Sequence, residues 1–565
     1  MNLFRLFPGF GHVRGYRRAD LRGDLFAGAV VAVMLVPQGM AYAMLAGLPP
    51  VIGLYASAIP LLVYALFGSS RQLAVGPVAI ISLLLAARVS ALAAPGSAEY
   101  VGIILTVALL VGAIQLAMGL LRLGFLTHFI SHAVMSGFTS AAAIIIILSQ
   151  MGHLLGIELG REHSVGPLMM EIVSRLGETH VLTLMTGVTA IAVLALFRIK
   201  APRFPSGLLL VTAATALTFF LGLDERGLAI VGAVPKGLPS FAMPGLNSAL
   251  ALPLLTTALT IVFVGLMESV AIAEIVAARE NYKLDVNQEL RALGLANGAA
   301  AFFSGYPVSG GFSRTAVNYE AGAKTPLAST VSATLILLTL LFLTPIFRYL
   351  PKGVLAAVVI VAVSSLIDVK QAVYLFRLRK ADGVVLLVTF LATLLAGVQT
   401  GVLSGVALSL AQFIWRSAHP HMAELGYLAS ENVFRNVKRY SEARVFPNAL
   451  ILRIDASLYF ANLEFVERYI RERLADEGGI QWVILDMSGV NDMDAVAVGA
   501  LEKLMENYKD GGIVFLFAGL KGPVRDLLAR ASWPQRYGQR VACASIAHAL
   551  QEAGIELDPE SREQA

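Results

Sequence analysis

The stretch GGFSRTAVNYEAGAKT, residues 310–325, places Arg314 between two long apolar runs with no acid beside it. Pro307, Gly310 and Gly311 interrupt the apolar pattern just upstream, and Ser313 stands where an N-cap would start a short helix. An arginine at a helix start sets a rigid fork of donors beside unsatisfied backbone N–H groups, which is chemistry for holding an oxyanion. The stretch RQLAVGPVAIISLLL has a related character: Gly76 and Pro77 break the chain ahead of an apolar helix, with Pro77 suited to its first turn. Glu268, in FVGLMESVAIA, is an acid in the middle of an apolar run. A carboxylate there is costly and is usually functional or paired. Two readings stand open: Glu268 takes up and releases a proton, or it partners Arg314 permanently and offsets its charge. Glu274, nearly two turns further on, reads as structural.

The elements that position these residues follow from composition. With 57% hydrophobic and 14% charged residues over 565, the chain is a membrane protein. Apolar runs fall at about 26–46, 52–67, 77–92, 100–121, 127–153, 181–197, 206–222, 251–278, 288–304, 312–321, 327–347, 353–367, 382–398 and 401–416, fourteen in all. The third and tenth are short and broken by Gly and Pro, and they correspond when the fourteen are cut into seven plus seven. Such matched interruptions predict two half-helices whose N-termini meet near the bilayer midplane. Seven is odd, so the halves are inverted. The paired helix starts bring two positive dipole ends to one place, a site for an anion.

The N-terminus is basic but lacks a short apolar core ending in a cleavage site, so no removable signal peptide is expected. With that end in the cytoplasm, the inside loops, which include Arg198, Lys370, Arg377, Arg379 and Lys380, carry more Lys and Arg than the outside loops. Both termini are therefore expected to be cytoplasmic. The net charge of +5 sits in short loops and termini and does not point to nucleic acid. The single cysteine, Cys543, excludes disulfide frameworks and reads as a spectator thiol. No metal-ligand cluster, nucleophile arrangement or cofactor motif is present, and His128, His132 and His153 are scattered at span ends. Nothing supports an enzyme.

Four separated blocks resemble the SulP family of anion transporters, the sulfate permeases: VPQGMAYAMLAGL, LPPVIGLYASAIPLLVYALFGSSRQLAVGPVAIISLL, MESVAIAEIVAARENYKLDVNQELRALGLAN and GGFSRTAVNYEAGAKT. The resemblance covers nearly the whole chain. It implies a seven-plus-seven inverted repeat split into core and gate domains, a homodimer, and an elevator movement of the core. It also implies a substrate touched by Gln38 and Tyr42, by the backbone at Val78 and Ala79, and by Ser313 and Arg314. Proton-coupled plant members look similar at Glu268, whereas sodium-coupled bicarbonate members have an aspartate followed by a hydroxyl one turn later. This chain has Ile272 there.

From about residue 425 the pattern changes to alternating strands and helices, ALILRIDASLYFAN, QWVILDMSGVNDMDAVAVGALEKLMENYKD and GIVFLFAGLKGPVRDLLARA, an α/β module. It resembles the STAS domain, which is similar to anti-sigma-factor antagonists. Those have a phosphorylatable serine after the loop aspartate. Here Ala495 follows Asp494, so that switch is absent. The expected organisation is a cytoplasmic segment 1–24, a transport domain 25–417, a linker 418–440, a STAS domain 441–555 and a tail 556–565. The expected function is proton-coupled sulfate symport in the inner or plasma membrane. Dicarboxylate or bicarbonate transport and uncoupled anion channel or exchange activity are the alternatives.

Overall fold

A computed structural model describes residues 16, 18–129, 131–159, 165–201, 206–245, 248–476 and 478–557. Most of the expected 1–24 segment and of the 556–565 tail lies outside these residues. Contacts divide the chain into Met1–Ser409 and Leu410–Ala565.

In the first unit every expected apolar segment is helical: α1 Arg18–Leu45, α2 Pro50–Phe67, α3 Ala79–Val89, α4 Ala98–Leu120 and α5 His132–Leu155. Then come α6 Val181–Lys200, α7 Ser206–Leu221, α8 Ser248–Arg279, α9 Val286–Phe302, α10 Phe312–Glu320 and α11 Leu327–Leu338. The last three are α12 Lys352–Val363, α13 Lys380–Ala396 and α14 Val398–Ala418, which runs across the division between the units. Two further short helices, Val165–Ser174 and Val369–Leu378, connect segments. Many of these helices are long and apolar enough to cross a membrane. α3 and α10, at 11 and 9 residues, are not, as half-helices should be.

The helices sort into two packed groups. One comprises α1–α4 and α8–α11, the other α5–α7 and α12–α14. Close approach depends on small residues, as expected where lipid removes most of the hydrophobic drive between helices. A Cβ on Gly53 of α2 would stand 2.0 Å from the Gly39 carbonyl of α1, so these two helices cross backbone against backbone.

Each half-helix follows a two-residue strand, β1 Val75–Gly76 and β2 Ser309–Gly310, and the two strands pair antiparallel. This pairing ties the third and tenth segments together in opposite directions. Buried carboxylates brace the adjoining loops. Glu289 accepts hydrogen bonds from Tyr64 Oη (2.7 Å), the Ser69 N–H (2.7 Å) and hydroxyl (2.7 Å), and the Ser70 N–H (3.0 Å), fixing the approach to β1. Asp24 accepts from the N–H groups of Lys324 (2.7 Å) and Thr325 (3.1 Å) and the Thr325 hydroxyl (2.6 Å), fixing the exit from α10. Charged acceptors with several donors meet the cost of their burial.

The second unit is a five-stranded sheet in the order β4-β3-β5-β6-β7, with β5 Ala449–Ile454, β6 Trp482–Asp486 and β7 Val514–Ala518 parallel. Its antiparallel edge pair, β3 Met422–Leu428 and β4 Val433–Asn436, lies where a linker at 418–440 was expected. The stretch 429–432 of that linker is the turn of a hairpin, with Asn432 in the left-handed region at φ 53°. Ala495 opens the helix Ala495–Lys509, and Asp494 caps it by accepting the Ala497 N–H at 2.8 Å. Cys543 is buried beside the Gln539 carbonyl, and burial pushes its thiol above the usual range, which keeps it inert.

Candidate functional site

The sequence placed an N-cap at Ser313 and Pro77 in a first helical turn. The structure shifts both. Gly311 is the N-cap of α10 and Ser313 is its second residue, while Val78 caps α3 and Pro77 precedes it. Gly311 takes the cap because a Cβ there would stand 2.6 Å from Arg314 Cζ and 2.7 Å from Nη2. The guanidinium folds back over the start of its own helix, and only glycine leaves room beneath it. A Cβ on Gly76 would lie 3.5 Å from the same Nη2, so the guanidinium sits where the two half-helices meet.

Arg314 is 2% exposed. Its Nη1 donates to the Pro77 carbonyl at 2.6 Å and to Gln38 Oε1 at 3.3 Å, and Nη2 makes a long contact of 3.5 Å to the Ser309 carbonyl. Gln38 Nε2 donates in turn to Tyr42 Oη at 2.9 Å. The Nε donor is buried with no hydrogen-bond partner among the described residues. An orphaned buried donor costs about 1–3 kcal/mol. It sits on the edge of the guanidinium that Nε shares with Nη2, the edge that grips an oxyanion with two parallel bonds.

Glu268 and Arg314 interact electrostatically but form no ion pair. The carboxylate instead lies within reach of the Phe312 N–H, the first residue of α10, and its Oε2 is buried without a hydrogen bond. Neutral carbonyls, not an acid, take up the arginine donors that are satisfied. Glu274 is exposed, away from the site.

Of the residues implied by resemblance, Gln38, Tyr42, Val78, Ala79 and Arg314 are buried around the paired half-helix starts. Ser313 is exposed and, with Gln38, lines a cavity of about 510 Å³. One wall of that cavity comes from α1 and α10 and the other from α6, α7, α12 and the turn after it, through Leu194, Arg198, Ser206, Val358 and Ser365. The cavity thus lies between the two helix groups. Glu320 and Arg198 stand on its two walls.

Supporting residues went unread in the sequence. Asn297 binds both polar groups of Val308, accepting its N–H at 2.7 Å and donating to its carbonyl at 3.1 Å, and also donates to Gln115 at 2.9 Å. Ser269 accepts the Gly310 N–H at 2.8 Å, and Ser309 donates to the Gly265 carbonyl at 2.6 Å. These bonds fasten β2 to α8 and α9. A polar residue inside an apolar helix was the available signal for Asn297 and Ser269. No group of His, Cys, Asp and Glu suited to a metal lies among the described residues.

A domain of apolar helices whose cavity reaches Gln38 and Ser313, with the buried guanidinium of Arg314 bonded to Gln38 behind them, has the features of a membrane transporter for anions. Comparison with known proteins agrees. The model of the sulfate permease family matches residues 21–389 and that of the STAS domain residues 440–535. The chain is 40% identical over 564 residues to sulfate transporter 4.1, chloroplastic, of Arabidopsis thaliana, covering 97% of this chain and 82% of that one. It is 35% identical over 539 residues to a probable sulfate transporter of Mycobacterium tuberculosis, covering 94% and 95%. The solved structure of the murine Slc26a9 anion transporter in the inward-facing state matches with a TM-score of 0.90 at 27% identity, covering 98% of this chain and 94% of that one. The transmembrane domain of the cyanobacterial bicarbonate transporter BicA matches in fold, with a TM-score of 0.61 at 22% identity, covering 70% and 98%. The chain belongs to the sulfate permease family. It is a multi-pass membrane transporter of small anions, not an enzyme.

Proposed function

We propose that the transported anion is sulfate, carried together with protons by an elevator movement of the α1–α4 and α8–α11 group against the other. The observation that carries this reading is the orphaned Nε donor of Arg314, buried where two half-helix starts meet. An oxyanion there receives the Nε and Nη2 edge of the guanidinium, the first N–H groups of α3 and α10, and the hydroxyls of Tyr42 and Ser313. Gln38 turns its amide so that Nε2 faces the anion while Pro77 keeps Nη1. Sulfate is favoured over other anions by the relatives, which are named as sulfate transporters.

Coupling follows from what α10 holds at its start. Glu268 and the anion compete for one positive helix end. Two unit charges about 6 Å apart repel by ~3 kcal/mol at an effective dielectric near 20, and sulfate carries two. A proton on Glu268 removes that repulsion, so proton and anion bind each other's form of the protein more tightly by the same factor. We place the cavity, the α1 start and the α14 end on the cytoplasmic side, a reading supported by the basic loops expected there and by the inward-facing relative. The family resemblance also supports a homodimer. Uptake of labelled sulfate, bicarbonate, chloride, oxalate, fumarate and succinate into proteoliposomes, with and without proton or sodium gradients, tests the assignment. Sulfate driven by protons is the expected leader; a sodium-driven bicarbonate signal would refute it.

A further inference from the structure

The helix Val369–Leu378, VKQAVYLFRL, joins α12 to α13 and has no buried residue. Asp368 caps it by accepting the Gln371 N–H at 2.9 Å, so it is a helix in its own right and not a frayed end. Ten residues rise about 15 Å, half of what a bilayer needs. Yet it is apolar outward: Val369, Val373, Tyr374 and Leu378 are 66%, 52%, 56% and 69% exposed. At 100° per residue, Lys370 and Arg377 lie side by side, with the stripe of Val369, Val373 and Phe376 on one side of them and Tyr374 and Leu378 on the other. Phe376 anchors the helix by packing over Gly383 of α13, where a Cβ would stand 2.5 Å from its ring. Lys370 and Arg377 are exposed and form no ion pair among the described residues. Arg198 of α6 joins the same end of the fold, its Nη1 donating to the Val361 carbonyl (2.9 Å) and the Ser364 hydroxyl (3.2 Å) just ahead of the helix.

We infer that this helix lies in the membrane interface and that Lys370 and Arg377 bind the headgroups of anionic phospholipids. The apolar stripe enters the acyl boundary, and the flanking cations stand at headgroup height. Charge complementarity selects the partner: two unpaired cations beside an apolar stripe fit an anionic membrane surface, and such cations contribute about fivefold each to the preference for it. The binding has a functional side. The helix follows α12 after the short turn Ser364–Leu366, and Val358 and Val361 of α12 and Ser365 of that turn line the cavity, so lipid held there steadies that wall.

The test uses the full chain and the double variant Lys370→Gln/Arg377→Gln. Native mass spectrometry with equal phosphatidylglycerol and phosphatidylcholine reads the preference. The wild type favours phosphatidylglycerol. The double variant loses that preference by about fivefold per cation, while its thermal midpoint in phosphatidylcholine alone is unchanged. The charge-keeping pair Lys370→Arg/Arg377→Lys retains it. In proteoliposomes the wild type runs faster when phosphatidylglycerol is present, and the double variant does not respond. An unchanged lipid preference in the double variant overturns the inference. So does a shift of the double variant from dimer to monomer with lipid preference intact, because a second copy of the chain would then cover this face.

Discussion

Glu268 and Arg314 share the start of α10 without pairing: the carboxylate reaches the Phe312 N–H, while the guanidinium turns to the Pro77 carbonyl at 2.6 Å. Each keeps one buried atom, Oε2 and Nε, without a hydrogen bond. Under the proposed mechanism the arginine is available to an anion and the acid to a proton, and their coupling runs through the helix end between them.

Arg314→Ala removes the donor edge at the site. Losing charge-assisted hydrogen bonds of about 1.5–3 kcal/mol weakens anion binding by roughly 10- to 150-fold. The rise in thermal midpoint that sulfate is expected to give the wild type should vanish, whatever midpoint the variant has in the absence of sulfate. A variant that is still stabilised by sulfate at wild-type concentrations argues against the site.

Glu268→Gln keeps a neutral side chain permanently at the α10 start. Exchange of internal for external sulfate should survive, and its rate should become flat across the pH range over which the wild type varies. Wild-type pH dependence in the variant would remove Glu268 from coupling.

Gly311→Ala places a Cβ 2.6 Å from Arg314 Cζ and pushes the guanidinium off its seat. Half-saturation for sulfate should rise at least tenfold with the protein still folded. Gly177→Ala, where a Cβ meets nothing within 4 Å, serves as the control and should behave as wild type.

Asn297→Ala strands the Val308 N–H and carbonyl in the interior, at about 1–3 kcal/mol for each group. The thermal midpoint should fall by several degrees whether or not sulfate is present. A midpoint within a degree of wild type would show that β2 is held by other contacts.

In the second unit, Asp455 sits below the usual carboxylate range. Burial alone would raise it, but hydrogen bonds from Arg453 at 2.6 Å and His421 at 2.8 Å outweigh that effect. A lowered folded value means stability that is present at neutral pH and lost as pH falls through it, below about 4. The midpoint difference between wild type and Asp455→Asn should therefore shrink as the pH falls from the ordinary carboxylate value downward; a difference that grows over that acid range would contradict the assignment.

Much of this was legible in the sequence because the bilayer restricts what a chain can do. Length and apolarity fixed the fourteen helices, and Gly and Pro at matched positions marked the two half-helices. The exact helix starts were not legible. Ser313 has the better capping side chain, but the bulk of Arg314 folding back demands glycine at 311, a tertiary constraint that overrides local propensity. The acceptors of Arg314 were hidden for a similar reason: the Pro77 carbonyl lies 237 positions away and belongs to every residue type alike. The hairpin at 422–436 reads as a linker because β4 is only four residues long and β3, MAELGYL, carries Glu424 and Gly426 among its apolar residues.

The most direct test loads proteoliposomes at alkaline internal pH, dilutes them into acidic buffer with labelled sulfate, and follows accumulation over time. Proton-coupled carriage at this site predicts that the wild type concentrates sulfate above its external level, that a protonophore abolishes the overshoot, and that Arg314→Ala shows none. Sulfate that only equilibrates, or an overshoot that survives the protonophore, would contradict it.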